Sequence, residues 1–432
     1  MEVVPRKRRP YSTLEKLEMK KTLVALAAAS AVSAFAQVSI TGYFGGSYDA
    51  FSVGGTNAAR TGATSESRVS DQSSRIIFGV TEDLGSGLSA IGQFDLRFKV
   101  DASARIQSET TANPTVDPVS GGNNHVGLKK AGVGTLRLGR QDIYYGEAAN
   151  YLPAGLFLAA NPQPLFHSLA TANAGRTPNL IWFTSDRMNG VEATVGYSTQ
   201  PLRTSGTNEV ESNMGTTTQT GHGGGTYIKF NYANGPLDLT YALVDLKSGY
   251  AGGTAYSVTT GAGGAASNAE KDQYGQTLVA KYDFNNGFRG SLGYSKEKQT
   301  AVATAAAVTT ATAVGGLSPA LVVGSSITAA AWTASGIYTM GSNNFIVNFA
   351  KRGNTAYDGV EQASTGGSQT TLAYSYDFSK QTTVGVMYSA LKSQSNVGYG
   401  MFYQGNNAYG GQMLNMLGET QKMTSIALRK NF

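Results

Sequence analysis

Residues 88–99 read LSAIGQFDLRFK. Leu88, Ala90, Gly92, Phe94, Leu96 and Phe98 share one parity, while Ser89, Gln93, Asp95, Arg97 and Lys99 share the other. A repeat of two belongs to a pleated strand, because successive side chains leave the backbone on opposite faces. One face is therefore apolar from end to end and the opposite face is charged. The same dyad organises 38–50, where Val38, Ile40, Phe44, Tyr48 and Ala50 oppose Ser39, Thr41, Ser47 and Asp49. It recurs at Val191–Ser198 and at Thr371–Phe378.

Between such segments the chain alternates short and long connections. Short clusters rich in Gly, Asn and Asp lie at 83–87, 131–134, 186–190, 233–235, 285–287, 341–344 and 379–381. These residues supply the positive φ that tight hairpins need. Long polar stretches fall at about 52–73, 100–122, 142–177, 199–224, 248–271, 299–325, 353–367 and 393–420. Seven short turns and eight long loops join sixteen strands. An even number of antiparallel strands, turned tightly at one end and loosely at the other, predicts an all-β transmembrane antiparallel β-barrel of the outer-membrane type. A bilayer offers no water to unpaired backbone groups, so a sheet inside it must close on itself. Its outer face then meets lipid, and its inner face is free to stay polar around water. A soluble all-β protein is the competing reading, but sixteen strands with so lopsided a loop pattern favour the membrane.

Composition supports this class. Only 14% of the 432 residues are charged, against about 25% in an ordinary soluble domain, and 54 are Gly. The absence of Cys excludes a disulfide scaffold, a thiolate metal site and a Cys nucleophile. His125, His167 and His222 lack metal-ligand spacing, so no metal and no cofactor are expected. Beyond the N-terminus no apolar run is long enough for a membrane helix.

Residues 19–36 read MKKTLVALAAASAVSAFA, with a basic start, a short apolar run and an Ala-Phe-Ala cleavage site. This is the pattern of a cleaved export signal, placing the mature start at Gln37 and leaving 37–432 as one barrel domain. Residues 1–18 precede a complete signal and read as an over-called start, with translation beginning at Met19. The formal charge of +6 then resolves itself. Residues 1–36 hold seven of the 34 basic and three of the 28 acidic residues, which leaves 27 against 25 and a net of +2. That balance implies no nucleic-acid partner.

Several motifs carry a family resemblance. Ser74-Arg75 leading to Glu82-Asp83-Leu84-Gly85-Ser86-Gly87-Leu88, then Val126-Gly127-Leu128, Gly132-Val133-Gly134-Thr135 and Leu138-Gly139-Arg140-Gln141, resemble segments of the general porins of Gram-negative β-proteobacteria. Arg176-Thr177-Pro178-Asn179 resembles the entry to the strand after their third loop. Phe432 resembles the terminal signal read by the barrel-assembly machinery. The resemblance implies a sixteen-stranded homotrimeric channel in the bacterial outer membrane, narrowed by a third loop folded into the lumen. It also implies that the second loop, 100–122, latches onto a neighbour. The third loop here, about 142–177, departs from the acidic loops of many general porins, with only Asp142 and Glu147 as acids.

The chemistry of such a hole lies in the charges that line it. Parity turns Arg75, Arg97, Lys99, Lys129, Arg137, Arg289 and Arg429 inward. Arg75, Arg97, Arg140 and Arg176, with Arg137 next, are the expected basic side of the constriction, and Asp142 and Glu147 its acidic side. Guanidinium stays charged at any working pH, so the cluster would favour anions. Structural ion pairing or a lipopolysaccharide contact is the alternative role for each Arg. Aromatics beside the short turns, Phe284, Tyr376 and Phe378, are expected at the membrane interface, with Phe432.

The expected function is passive diffusion of small hydrophilic solutes and inorganic ions, without enzymatic activity, in contact with outer-membrane lipid and lipopolysaccharide. A substrate-specific channel is the first alternative, since Leu156, Phe157, Leu158, Leu165 and Phe166 would suit either a greasy lining or an anchor for the loop. A barrel enzyme or adhesin is the second, and no Ser or Asp stands at persuasive spacing from any His.

Overall fold

The computed structural model describes residues 37–55, 64–100, 122–142, 149–167, 176–199, 224–247, 271–301, 319–401 and 416–432. The leader 1–36, Glu147, His222 and positions 101–121 of the second loop lie outside the described residues.

The strands are β1 (Gln37–Gly54), β2 (Ser65–Asp71), β3 (Arg75–Gly85), β4 (Leu88–Arg97), β5 (Asn124–Lys130), β6 (Gly134–Asp142) and β7 (Arg176–Ser185). They continue as β8 (Val191–Ser198), β9 (Gly224–Asn234), β10 (Leu237–Lys247), β11 (Lys271–Asp283), β12 (Phe288–Ala301) and β13 (Ser326–Met340). The last are β14 (Asn343–Arg352), β15 (Ala356–Tyr357), β16 (Val360–Glu361), β17 (Gly367–Ser379), β18 (Thr382–Ser393) and β19 (Thr420–Asn431). All belong to one antiparallel sheet, which closes where β1 pairs β19 from Tyr43↔Asn431 to Gly54↔Thr420. β2 and β3 both pair β1 and form one stave, interrupted at 72–74. β15 and β16 are a small hairpin in the 353–366 loop, leaning on β13. The barrel therefore has sixteen staves.

The staves alternate as the sequence dictates. In β12, Leu292, Tyr294, Lys296 and Lys298 face out, while Ser291, Gly293, Ser295 and Glu297 are buried inward. Exposed Val38, Phe44, Val126, Val195, Leu292 and Leu372 belong to an apolar exterior that runs around the wall. An apolar surface on that scale is stable in lipid, not water. The short turns use the expected chemistry: Ser86 and Gly87 both take positive φ between β3 and β4.

One boundary differs from the sequence reading. The loop expected at 52–73 is shorter, because β1 runs to Gly54 and β2 begins at Ser65. Inside the barrel, Phe51 and Val53 join the main apolar cluster, which extends the first stave. β2 reads SESRVSD, so its outward positions lack the apolar signature from which strands were recognised.

Phe432 seals the seam. Its N–H donates to the Gly42 carbonyl at 3.1 Å, its carbonyl accepts from the Gly42 N–H at 3.3 Å, and its ring lies 5.6 Å from Phe44. Deleting Phe432 removes two backbone hydrogen bonds, worth about 2 kcal/mol together, where the first and last staves must meet. The deletion is expected to cut the yield of the heat-modifiable, fast-migrating gel band severalfold, whereas Phe432→Trp keeps it.

Candidate functional site: the loop-narrowed lumen

The third loop lies inside the barrel. Its described part, 149–167, includes a 3-10 turn at Leu158–Ala160 and a one-turn helix at Gln163–Phe166, started by Pro162. Leu156, Phe157, Leu165 and Phe166 are at most 1% exposed. Leu156, Phe157 and Leu165 cluster with Phe51, Ile337, Ile346, Met387, Leu391 and Met423 of the wall, and Phe166 lies against Gly293. Leu156, Phe157, Leu165 and Phe166 thus anchor the loop, while Leu158 is half-buried.

The wall is shaped to receive the loop. A Cβ at Gly293 would lie 2.9 Å from the Ala149 Cβ and 3.1 Å from the Phe166 ring. A Cβ at Gly385 would meet Phe157 at 2.5 Å, one at Gly367 would meet Leu165 at 3.1 Å, and one at Gly45 would strike the Gly155 carbonyl. Inward glycines on β12, β18, β17 and β1 therefore let the loop backbone lie flat. Polar bonds fix it along its length. Tyr151 donates its hydroxyl to the Gly290 carbonyl at 3.0 Å. Leu158 N–H donates to Gln72 Oε1 at 2.8 Å, and Gln369 Nε2 donates to the Ala160 carbonyl at 3.1 Å. Ser295 Oγ donates to the Phe166 carbonyl.

At the loop's end His167 is fully buried, with Nδ1 3.4 Å from Glu297 Oε1; Arg352 Nη1 stands 3.8 Å from Glu297 Oε2. The Arg352 guanidinium lies 5.7 Å from the Tyr399 ring centre. Burial pushes the Tyr399 hydroxyl above its ordinary pKa, keeping a neutral phenol beside the guanidinium.

The wall beside the tip of the third loop is basic. Arg75 and Arg97 are register partners on β3 and β4. Arg97 Nη2 is 3.2 Å from Asp95 Oδ2, and Arg75 Nη1 is 3.9 Å from the same oxygen. Arg75 also donates to the Ser73 carbonyl and hydroxyl at 3.2 and 3.0 Å. Arg429 joins them from β19. Its guanidinium lies 4.6 Å from the centre of the Tyr43 ring, and that of Arg75 lies 5.0 Å from it. Arg429 Nε donates to Asn431 Oδ1 at 2.6 Å, and Nη1 donates to the Ala154 carbonyl of the third loop. Arg75 and Arg97 thus share the Asp95 carboxylate, and Arg429 meets Arg75 on the Tyr43 ring. The described loop segment 149–167 contains no Asp, Glu, Lys or Arg, so among the described residues the fixed charge here belongs to the wall.

The expected site residues do not all gather here. Arg137 lies farther round on β6, with its guanidinium 5.9 Å from the Trp182 ring centre, and His125 packs edge-on to the same indole. Arg140 sits in the register shift between Gly139 and Gln141, which explains its departure from strand phase. Arg176 is the backbone register partner of Asp142, where β6 and β7 meet at the mouth of the third loop. Asp142 accepts from Asn123 Nδ2 at 3.1 Å. Parity turns Arg429 inward, but only the fold, by closing the last strand on the first, brings it beside Arg75. At the turn end, Tyr376 stacks 5.2 Å from Phe378, and Phe284 stacks between Tyr282 and Phe288. Phe378, Phe284 and Phe432 are exposed on the outside.

A closed sixteen-stave barrel with an apolar exterior, a polar lumen and an internal loop is an outer-membrane channel in architecture. The comparisons agree. A family model described as Gram-negative porin matches residues 22–396. The major outer membrane protein of Pasteurella multocida is 35% identical over 127 residues, which span 28% of this chain and 35% of that relative. Among solved structures, the anion-selective porin from Comamonas acidovorans superposes with a TM-score of 0.62 at 18% identity, over 92% of this chain and 100% of that one. OmpT of Vibrio cholerae gives a TM-score of 0.56 at 11% identity, over 92% of this chain and 98% of that one. At these identities the two structures speak for the fold alone. The chain belongs to the Gram-negative porin family and is an outer-membrane porin.

Proposed function

We propose that the protein is a general diffusion porin, a water-filled passive channel for small hydrophilic solutes with a preference for anions. The observation that carries this reading is the Arg75–Arg429 pair around Tyr43, with Arg97 and Asp95 beside Arg75 and the uncharged loop segment 149–167 packed against the same ring. Fixed guanidiniums at a constriction concentrate anions and repel cations. The relative from Comamonas acidovorans is described as anion-selective, which accords with this reading without deciding it. Burial of Leu156, Phe157, Leu165 and Phe166 favours general diffusion over a greasy, solute-selective track. His125 packed on Trp182 and His167 held at Glu297 favour a channel over a hydrolase.

The reading includes export by the signal at 19–36, cleavage before Gln37, a homotrimeric assembly, and interface anchoring by Phe284, Tyr376 and Phe378. In a planar bilayer under a salt gradient, the reconstituted protein is expected to show a zero-current potential of anion sign and a current linear in voltage. Saturable block by one solute class would replace general diffusion with a specific channel. A potential of cation sign would remove the anion preference.

A further inference from the structure

The connection from β18 to β19, described at 394–401 and 416–419, also turns into the barrel. Val397, Tyr399 and Met401 are buried in the same apolar cluster as Leu156, Phe157 and Leu165 of the third loop. The base of this last loop is tied to the loop before it. Gln394 N–H donates to the Gly366 carbonyl at 3.0 Å, and Gly366 N–H donates to Gln394 Oε1 at 2.8 Å. Asn396 N–H donates to the Ser364 carbonyl at 2.9 Å. Farther in, Met401 N–H donates to Gln421 Oε1 on β19 at 2.9 Å.

One register row of the wall carries both loops. Ser295 on β12, Ala331 on β13, Arg352 on β14, Gly367 on β17 and Ser393 on β18 follow one another across the ladder. At one end of the row, Ser295 holds the third loop through the Phe166 carbonyl. At the other, Ser393 Oγ accepts from the Tyr399 N–H at 2.9 Å. Between them Gly367 lies beneath both loops: a Cβ there would stand 2.7 Å from the Tyr399 ring and 3.1 Å from Leu165. Tyr399 and Leu165 therefore share one glycine seat.

A polar route runs beside the apolar one. The Tyr399 ring centre lies 5.7 Å from the Arg352 guanidinium, within reach of a cation–π contact. Its hydroxyl donates to the Thr365 carbonyl at 2.9 Å. Arg352 stands 3.8 Å from Glu297, and Glu297 stands 3.4 Å from His167. The side chains of Arg352, Glu297 and His167 are at most 2% exposed, so none can exchange its neighbour for water while the loops stay in place. The series His167, Glu297, Arg352, Tyr399 thus leads from the end of the third loop to the last one.

We propose that Tyr399 is a positioning residue that fastens the third and last loops into one lumenal body, so that moving the last loop moves the constriction. The apolar seat on Gly367 and the polar series through Arg352 carry this coupling independently. Tyr399 acts on the pore through Leu165 and Arg352, not through the Arg75–Arg429 pair. The inference goes beyond the diffusion reading and depends on it only for the conductance measured below. A last loop serving only as its own packing unit would need neither the shared glycine nor the ring over Arg352.

The test is amide hydrogen exchange on the full protein, followed in peptides covering 149–167 and 394–401, with β7 and β8 as the reference. Heat-modifiable mobility verifies that each variant is folded. Tyr399→Ala is expected to speed exchange in 149–167 roughly tenfold, a size usual for contacting residues. Leu165→Ala is expected to speed exchange in 394–401 by a similar factor, because coupling is reciprocal. Tyr399→Phe keeps the ring on Gly367 and Arg352 and is expected to leave 149–167 as in the wild type. Should Tyr399→Ala not fold, Tyr399→Leu, which keeps an apolar filler without the ring, and the reciprocal Leu165→Ala give the same reading. In planar bilayers Tyr399→Ala is expected to raise open-channel noise, and Tyr399→Ala/Leu165→Ala to raise it no further than the larger single effect. Faster exchange confined to 394–401 in Tyr399→Ala, or noise that simply adds in the double variant, overturns the coupling. Tyr399→Phe behaving as Tyr399→Ala does overturns the role of the ring. A non-conducting wild type strikes the channel reading and leaves the exchange result standing.

Discussion

Arg75→Ser combined with Arg429→Ser is expected to move the zero-current potential under a tenfold salt gradient toward cations by roughly 20 mV, about a third of the ~59 mV available to a perfectly selective pore. These two guanidiniums flank Tyr43, and neither is the close partner of Asp95. Removing them leaves Asp95 and Arg97 nearly neutral together, so the local field at the constriction collapses. The effect should shrink at high salt, since the screening length falls from about 10 Å at 0.1 M to about 3 Å at 1 M. An unchanged potential at low salt would sink the assignment of selectivity to this group. Arg97 should behave differently. Its side chain is buried at 3.2 Å from a carboxylate that is itself 1% exposed. Arg97→Ser strands that charge, and breaking such a pair costs roughly 3–5 kcal/mol, toward the lower end because Arg75 remains nearby. The expected result is lost folded barrel, recovered in Asp95→Asn/Arg97→Ser.

The contrast between Arg75 and Arg97 marks what could be read from the chain. Parity was legible, because the bilayer imposes it on each residue in turn: Leu292 must face out if Ser291 faces in. The number of staves followed from counting the short and long connections between them. The spacing of Asp95 and Arg97, two apart on one inward face, was equally available as the mark of a structural pair. Contacts across the barrel were not available. Nothing local joins Arg429 to Ala154, or Gly293 to Phe166, because the register of distant staves and the path of the third loop decide those meetings. β2 escaped recognition for a related reason. Its sequence lacks the apolar outward face on which the reading depended. Part of the high glycine content serves the lumen side, where Gly45, Gly293, Gly367 and Gly385 receive the third loop.

Gly293→Val is expected to lower single-channel conductance roughly twofold, because overpacking costs about 1–3 kcal/mol and is relieved most easily by moving the loop off the wall toward the lumen. The three atoms nearest a Cβ there all belong to side chains: Thr333 Oγ1 at 2.8 Å, Ala149 Cβ at 2.9 Å and the Phe166 ring at 3.1 Å. Two of these belong to the third loop, whereas the β12 backbone at Gly293 is fixed by pairing to Val279 and Thr333. Displacing Phe166 also pulls on its neighbour His167, buried against Glu297 and, through it, Arg352. Phe166→Ala alone removes a fully buried ring at a cost of roughly 3–5 kcal/mol and should loosen the loop, seen as increased open-channel current noise. The double variant Gly293→Val/Phe166→Ala is the decisive case. Valine methyl groups then occupy part of the volume the ring vacates, so conductance should return toward the wild-type value and the noise should fall below that of Phe166→Ala. Contacting residues couple in this way, whereas distant ones add. If the two effects simply add, the glycine does not seat the loop, and the constriction is held by its hydrogen bonds to Gln72, Gly290 and Gln369 instead.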